Sequence, residues 1–554
     1  MASGQSRNVW RIVLTNFINS LRPRITKGNN IGKDYLGNKY FEIPANPSIG
    51  KRKAVRWYDP PKGMDFQDPV PAEWESWLRM RRMDPPTEEE IAQNVAIAKL
   101  KKENAAKLEA ERLAAGGSLP AVAERGPGSF PKYTDIMTEN NVKLSTEEYL
   151  ALEDKHGCRN YAPLPVVLSR GEGVFVWDTE GKKYYDFLSG YSAVNQGHCH
   201  PRIVAALKKQ ADKLTLTSRA FYNDQLGAYE KMMTELFGYD RLLPMNTGVE
   251  GGESAVKFAR KWGYDVKKIP NGQAKIIFAE GNFWGRTISA ASSSSDPACY
   301  EGFGPYLPGL HLIPYNDIPA LEVVLRDPNV AAYMMEPIQG EAGTIIPSDG
   351  YLKKVRELCT KYNVLWIADE VQSGLGRTGK LLAVDHEGVR PDILILGKAL
   401  SGGLMPVSCI LANNEVMDVI KPGTHGSTYG GNPLACAVAT EAIKVLLEEK
   451  LIENAARLEK VFVKELQTIS KKKIVEIRCR GLMAAIDVHD SIDAYEVCLK
   501  LRDFGLLAKP THGQTIRLAP PLVITEEQLK DSVAILSKVF DTFGKDERPL
   551  PHSG

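Results

Sequence analysis

Val364-Leu-Trp-Ile-Ala-Asp369 and Asp392-Ile-Leu-Ile-Leu-Gly-Lys398 are the two stretches on which the reading of this chain turns. Each is a short apolar run without polar alternation that ends on a charged side chain. Runs of this kind are strands covered on both faces. Two more occur at 274–280 (AKIIFAE) and 331–337 (AAYMMEP), and helical stretches at 252–264, 351–361 and 432–448 separate them. That alternation predicts an α/β fold with a large, mostly parallel sheet covered by helices. Beyond it, Val475-Glu-Ile-Arg478, Ala484-Ala-Ile-Asp-Val488 and a helix near 526–542 predict a smaller α+β C-terminal domain.

The charged ends carry the chemistry. A lysine closing a buried strand has lost much of its water, which depresses its pKa and frees the amine as a nucleophile for an aldehyde. Asp369 ends its own run as a buried carboxylate able to face a pyridinium nitrogen. Lys398 and Asp369 are thus the two fixed points of a pyridoxal 5'-phosphate (PLP) site. Upstream, Met245-Asn-Thr-Gly-Val-Glu-Gly-Gly-Glu-Ser254 feeds the helical pattern Ala255, Val256, Phe258, Ala259, Trp262. A glycine-rich turn entering a helix offers bare N–H groups to a phosphate. Alone it reads equally as a tight turn, and Asp369 alone as a surface carboxylate. The company of Gln372, Gly374, Arg377-Thr-Gly379 and Lys398 favours the cofactor.

The chain has 554 residues, enough for two or more domains, and its formal charge of +2 hides an asymmetry. Residues 1–132 carry 22 Lys+Arg against 15 Asp+Glu, and 133–554 carry 48 against 53, so two modules with different partners are expected. The balance gives no reason to invoke nucleic acid, and no apolar stretch approaches membrane-spanning length. The 8 cysteines are scattered beyond residue 157 without a CxxC pair, which fits a reducing compartment. His198-Cys199-His200 reads as a structured loop before it reads as a metal cluster, so no metal is expected. Arg377-Thr-Gly-Lys380 likewise reads as a turn before it reads as a phosphate site.

The three runs Ile367-Ala-Asp-Glu-Val-Gln-Ser-Gly374, Gly397-Lys-Ala-Leu-Ser-Gly-Gly403 and His425-Gly-Ser-Thr-Tyr-Gly-Gly-Asn-Pro433 resemble the class III aminotransferases of PLP fold type I. Within that class, residues from about 139 to 545 are similar to the ornithine aminotransferase family. The similarity rests on Gly190-Tyr-Ser-Ala-Val-Asn-Gln-Gly-His-Cys-His-Pro201, Leu214-Thr-Leu-Thr-Ser-Arg-Ala-Phe-Tyr222, Gly281-Asn-Phe-Trp-Gly-Arg-Thr287 and Gly505-Leu-Leu-Ala-Lys-Pro-Thr-His512. Trp284 stands where most class III members have His.

The resemblance implies that Lys398 carries PLP through its amine and moves the proton between substrate and cofactor, while Asp369 keeps the ring nitrogen protonated. It implies that Gly248 and Val249 bind the phosphate, Phe283 stacks on the ring and Gln372 meets the ring hydroxyl. Thr428 would reach the phosphate of a neighbouring subunit, so a homodimer with shared sites is implied. For substrate it assigns Tyr161 and Arg286 to the distal end of ornithine and Arg286 also to the γ-carboxylate of glutamate or 2-oxoglutarate. Arg517 takes the α-carboxylate of glutamate, Glu341 masks Arg517 when ornithine binds, and Tyr191 closes the pocket. The implied reaction converts ornithine and 2-oxoglutarate to glutamate 5-semialdehyde and glutamate, in ornithine catabolism and proline synthesis. Another class III ω-aminotransferase, using acetylornithine or 4-aminobutyrate, is the near alternative.

The first part of the chain reads differently. Residues 1–33 contain six Lys/Arg and no acid, with Trp10, Val13, Leu14, Phe17, Ile18 and Leu21 at helical spacing. This is either a mitochondrial presequence, placing the protein in the matrix, or an amphipathic docking helix. Asp34-Tyr-Leu-Gly-Asn-Lys-Tyr-Phe-Glu-Ile-Pro44 predicts a hairpin turning at Gly37-Asn38, and Pro71-Ala-Glu-Trp-Glu-Ser-Trp-Leu78 a short helix. Thr87-Glu-Glu-Glu90 predicts a capping box opening a long helix to about Ala115. These motifs resemble the small accessory-subunit and assembly-factor family of respiratory complex I (mimitin-like) over about 7–100, implying a complex I contact. The expected division is a module at 1–115, a linker at 116–138, an aminotransferase N-terminal segment at 139–190, a large domain at 191–435 and a small domain at 436–545. The join reads either as a working fusion or as a read-through of two genes. The tryptic peptide Leu113–Arg125 would span it.

Overall fold

The computed structural model describes residues 28–45, 54–61, 70–94, 96–97 and 144–543. The chain divides into two compact units, Met1–Lys143 and Leu144–Gly554.

In the first unit, the strands Asn29–Lys33, Lys39–Ile43 and Val55–Asp59 form an antiparallel sheet in that order. The hairpin turns over Asp34–Asn38, with Gly37 at φ +100°. A single carboxylate shapes it: Asp34 accepts the Leu36 and Asn38 N–H groups at 2.9 and 3.0 Å and the Tyr40 hydroxyl at 2.7 Å. The helix Ala72–Leu78 follows Pro71 and turns Trp74 and Trp77 inward, where Trp74 stacks on Tyr40 at 3.9 Å between ring centroids. Thr87 Oγ1 accepts the Glu90 N–H at 3.2 Å, but the Glu90 carboxylate pairs with Arg82 at 2.6 Å. The expected capping box is therefore bound as a cap on one side only. The presequence-like residues 1–27, the helix beyond 97 and the linker at 116–138 lie outside the described residues.

Arg56 ties this unit together. Its guanidinium pairs with Glu42 at 2.6 Å, donates to the carbonyls of Trp77, Arg82 and Met83, and lies 4.4 Å from the Trp77 ring centroid. Removing this buried side chain strands the part-buried carbonyls of Trp77 and Arg82 and leaves the Glu42 carboxylate without its partner. Arg56→Ala should therefore destabilise the unit by about 2–4 kcal/mol. Hydrogen exchange on the full chain checks this through the amides of Tyr40 and Phe41, and unchanged protection there would contradict it.

The second unit is built on a seven-stranded sheet. Its order is Arg241–Met245, Ser408–Ala412, Ile393–Leu396, Leu365–Asp369, Val330–Met335, Lys275–Ala279, Leu310–Ile313. Ser408–Ala412 alone runs antiparallel to its neighbours. The four predicted apolar runs are four of the five interior strands and are buried almost along their length; the fifth is Ser408–Ala412. Arg241–Met245 was not anticipated because it contains Pro244. The strand lies at the sheet edge, where a missing N–H is tolerated. Helices Gly248–Asp265 and Tyr351–Lys361 cover the sheet with buried apolar faces, and Pro433–Glu448 packs on the helices Pro201–Ala211 and Leu226–Phe237.

The C-terminal part holds a second sheet, Ile474–Arg480, Met483–Val488, Thr515–Leu518 and Lys509–Thr511, with helices Leu451–Leu466, Ala494–Asp503 and Glu526–Asp541. The segment expected at 139–190 does not stand apart. Its strands Leu168–Glu172, Phe175–Asp178 and Lys183–Asp186 form one sheet with Leu506–Leu507. Arg377, fully buried, donates to the carbonyls of Leu482 and Pro520 and to Asn195 Oδ1. Those bonds bind the C-terminal part to the sheet domain.

Candidate active site

The C-terminal ends of the central strands place the charged groups. Leu365–Asp369 ends on Asp369, which is 6 % exposed. Oδ1 accepts the Val371 N–H at 3.0 Å, the only hydrogen bond of this carboxylate among the described residues. Burial raises its pKa to about 6, against the Val371 N–H and the Lys398 charge. Lys398 follows the strand Ile393–Leu396 with φ +46°, a left-handed conformation costly for a side-chain-bearing residue. Its ammonium makes no hydrogen bond or ion pair among the described residues. Burial outweighs the attraction of Asp369 and Glu336 and lowers its pKa to about 8.

The helix Gly248–Asp265 starts beside this lysine. Thr247 caps it: the Thr247 hydroxyl accepts the Glu250 N–H at 3.4 Å and Glu250 accepts the Thr247 N–H at 2.6 Å. The N–H groups of Gly248 and Val249 remain at its mouth. A Cβ on Gly248 would lie 3.0 Å from the Val371 side chain, so the helix start packs tightly against that residue. Gln372 is buried, and its carboxamide makes no hydrogen bond among the described residues. Thr428 is exposed on the surface of this chain.

Phe283, Trp284 and Arg286 lie on a strap packed over that helix. A Cβ on Gly252 would meet the Trp284 ring at 2.5 Å, and one on Gly285 would meet Val249 at 2.3 Å. Glu253 accepts the hydroxyls of Thr287 and Ser289 at 2.6 and 2.9 Å. The Arg286 guanidinium lies 5.5 Å from the Phe283 ring centroid. Beside Phe283 and Glu341 opens a cavity of about 290 Å³, reaching to Asp296 and His512.

Across the cleft, Glu341 Oε2 lies 2.9 Å from Arg517 Nη1, and the Arg517 carbon centre lies 4.7 Å from the Tyr191 ring centroid. Arg517 is buried and its Nε has no partner. Tyr191 stands on a four-residue left-handed turn: Ser189, Gly190, Tyr191 and Ser192 have φ of 51, 54, 61 and 73°. Three of these are not glycine, each at a cost of roughly 1–2 kcal/mol. Tyr161 is exposed, within electrostatic reach of Tyr191. The structure thus gathers Lys398, Asp369, Gln372, Gly248, Val249, Phe283, Tyr191, Glu341 and Arg517 around one cleft.

One residue here escaped the sequence reading. Glu336 follows the strand Val330–Met335, as Asp369 ends its neighbour. Its two oxygens accept the N–H groups of Phe283 and Gly340 at 3.0 and 3.1 Å. Burial, and then the Asp369 charge, push its pKa up to about 8. The run AAYMMEP ends on this carboxylate, and that pattern was the available signal. No group of His, Cys, Asp or Glu among the described residues could hold a metal ion.

A mostly parallel sheet whose strand ends present a free buried amine and a buried carboxylate suits the amine–carbonyl chemistry of an aminotransferase. Residues 157–540 match the aminotransferase class-III family. The chain belongs to that family, in its ornithine aminotransferase branch. It is 66 % identical over 395 residues to the mitochondrial ornithine aminotransferase of Drosophila melanogaster, covering 71 % of this chain and 92 % of that protein. An ornithine aminotransferase structure from Toxoplasma gondii, described with partial PLP occupancy at its active site, is 52 % identical with a TM-score of 0.73, covering 75 % and 98 % of the two chains. An acetylornithine aminotransferase structure from Elizabethkingia anophelis is 56 % identical with a TM-score of 0.66, covering 72 % and 100 %. Residues 28–116 match the family of NADH ubiquinone oxidoreductase subunit NDUFA12.

Proposed function

We propose that the second unit is a PLP-dependent ornithine δ-aminotransferase, acting on ornithine and 2-oxoglutarate. The cofactor fits the unmet groups: the unpaired Lys398 amine, the Asp369 carboxylate with one oxygen free, the unpartnered Gln372 carboxamide and the amides at the helix mouth. When bound, PLP supplies an aldehyde that takes up amines and a ring that accepts the electron pair released at the substrate carbon. Lys398 anchors it and, once displaced by substrate, moves the proton at that carbon. Asp369 keeps the ring nitrogen protonated. Gly248 and Val249 hold the phosphate, Phe283 covers the ring, Gln372 binds the ring hydroxyl, and Thr428 from a second copy completes a homodimeric site.

The observation that carries the substrate choice is the Glu341–Arg517 pair at 2.9 Å. Ornithine brings its δ-carbon to the lysine with no carboxylate beside it, so an unmasked Arg517 would repel the cationic donor. Glutamate brings an α-carboxylate there and takes Arg517 itself, with Arg286 on its γ-carboxylate. Tyr161 and Arg286 hold the far end of ornithine, and Tyr191 closes the pocket over Arg517. The test is the rate with ornithine, acetylornithine and 4-aminobutyrate, each against 2-oxoglutarate, with trapping of the semialdehyde product. Acetylornithine outrunning ornithine would overturn the assignment.

The depressed Lys398 pKa gives a pH dependence. The neutral amine is the nucleophile, so its fraction rises with pH and is half-formed at about 8 instead of the ordinary 10.5. Capture of PLP by cofactor-free protein, followed by visible absorbance, should accelerate up to about pH 8 and level above it. A midpoint near 10.5 would contradict the buried amine.

For the first unit, the match of residues 28–116 favours a binding role at complex I, and the names of the relatives favour a mitochondrial location, which we read as the matrix. Loss of complex I assembly on deleting 1–115, with assembly intact in Lys398→Ala, supports that role. Assembly unaffected by the deletion removes it.

A further inference from the structure

The left-handed turn that carries Tyr191 into the cleft is held by groups with no part in the chemistry above. Asp186 ends the strand Lys183–Asp186 and is 7 % exposed. Its Oδ1 accepts the N–H groups of Leu188 and Ser189 at 2.8 and 2.9 Å, at the entrance of the turn. Its Oδ2 lies 2.7 Å from His198 Nε2. His198 is itself fixed, because its backbone N–H and carbonyl pair with Gly173 at 2.8 and 3.1 Å and a Cβ on Gly171 would come within 2.9 Å of it. At the other side, the Ser189 hydroxyl donates to the Ala519 carbonyl at 2.6 Å, two residues beyond Arg517. The Ala519 N–H returns to the Phe187 carbonyl at 2.8 Å. The turn is therefore clasped at its start by Asp186 and fastened to the strand that bears Arg517.

We infer that Asp186, backed by His198, is a positioning pair for donor choice: it holds the strained turn that seats Tyr191 over Arg517, without touching substrate. The physical reason is that a left-handed run of Ser, Gly, Tyr and Ser does not persist unless its surroundings over-determine it. Asp186 supplies two acceptors' worth of that constraint from one oxygen, and His198 keeps the carboxylate from rotating away. The inference rests on the reading of the pocket as ornithine-selective.

The test compares Asp186→Ala with Asp186→Asn in the full-length holoenzyme. Asp186→Ala should lower kcat/KM for ornithine about ten-fold while that for glutamate stays within about two-fold. Asp186→Asn, which keeps the Oδ1 acceptor, should remain near the parent. In a Tyr191→Ala background Asp186→Ala should add nothing to the donor ratio, because the side chain it positions is gone. In cofactor-free protein, hydrogen exchange at the Leu188 and Ser189 amides should quicken in Asp186→Ala alone. Equal losses with both donors, indistinguishable Ala and Asn variants, or unchanged exchange would each overturn the inference. Should Asp186→Ala fail to fold, His198→Ala takes its place, with the same direction of donor shift expected and an unchanged ratio overturning it. If the parent does not use ornithine, the substrate reading falls, while the exchange measurement still decides the clasp.

Discussion

Lys398→Ala is expected to abolish the visible absorbance of covalently held cofactor and to lower transamination by at least about 10⁴-fold. Two losses combine. On the proposed reading, the amine that fixes the aldehyde is gone, and so is the base that moves the proton at the substrate carbon. The groups for the phosphate and ring stay in place, so the variant should still take up PLP without a covalent bond. Reduction with borohydride followed by mass spectrometry separates the two: the parent should retain the cofactor's mass on the peptide containing Lys398, and the variant should retain none. Retained mass on another lysine would mean that the anchor is misassigned.

Glu341→Ala should shift the donor preference from ornithine toward α-amino donors such as glutamate by about 10²-fold in the ratio of kcat/KM. A buried guanidinium left without its carboxylate is worth several kcal/mol of discrimination. Arg517 is buried, already has an unpartnered Nε, and sits under the Tyr191 ring, so solvent cannot stand in fully for Glu341. Steady-state measurement of both half-reactions checks this. An unchanged ratio would show that masking of Arg517 does not select the donor.

Much of this site was legible because its chemistry coincides with strand ends. Asp369 and Lys398 each close an apolar run, and a charge in that position demands a reason whatever the fold. The helix start proposed to hold the phosphate was legible because a glycine-rich run leads directly into it. Tyr191 came only through resemblance, since nothing in Ser189-Gly-Tyr-Ser192 announces four consecutive positive φ angles. Serine and tyrosine do not favour that region, and the contacts that hold the turn include one to Ala519, far along the chain. Glu336 was overlooked because its role lies in joining the amides of Phe283 and Gly340, which are far apart along the chain. In the first unit the hairpin and the tryptophan helix were readable from local spacing. The half-formed cap at Thr87 was not, because Arg82 competes for the Glu90 carboxylate.

By itself the sequence determined the two-module plan, the alternating α/β texture, the strand-end positions of the lysine and the aspartate, and the glycine-rich helix start. Each depends on neighbours within one strand or one helix start, and local patterns carry that information. Only the tertiary structure decided that Leu168–Asp186 joins the sheet of Leu506–Leu507 and that His198 stands behind Asp186, while the pairing of Arg517 with Glu341 was implied by the resemblance. Those are pairings between side chains or strands brought together by the register of the whole chain. A sequence records both partners but not the distance between them.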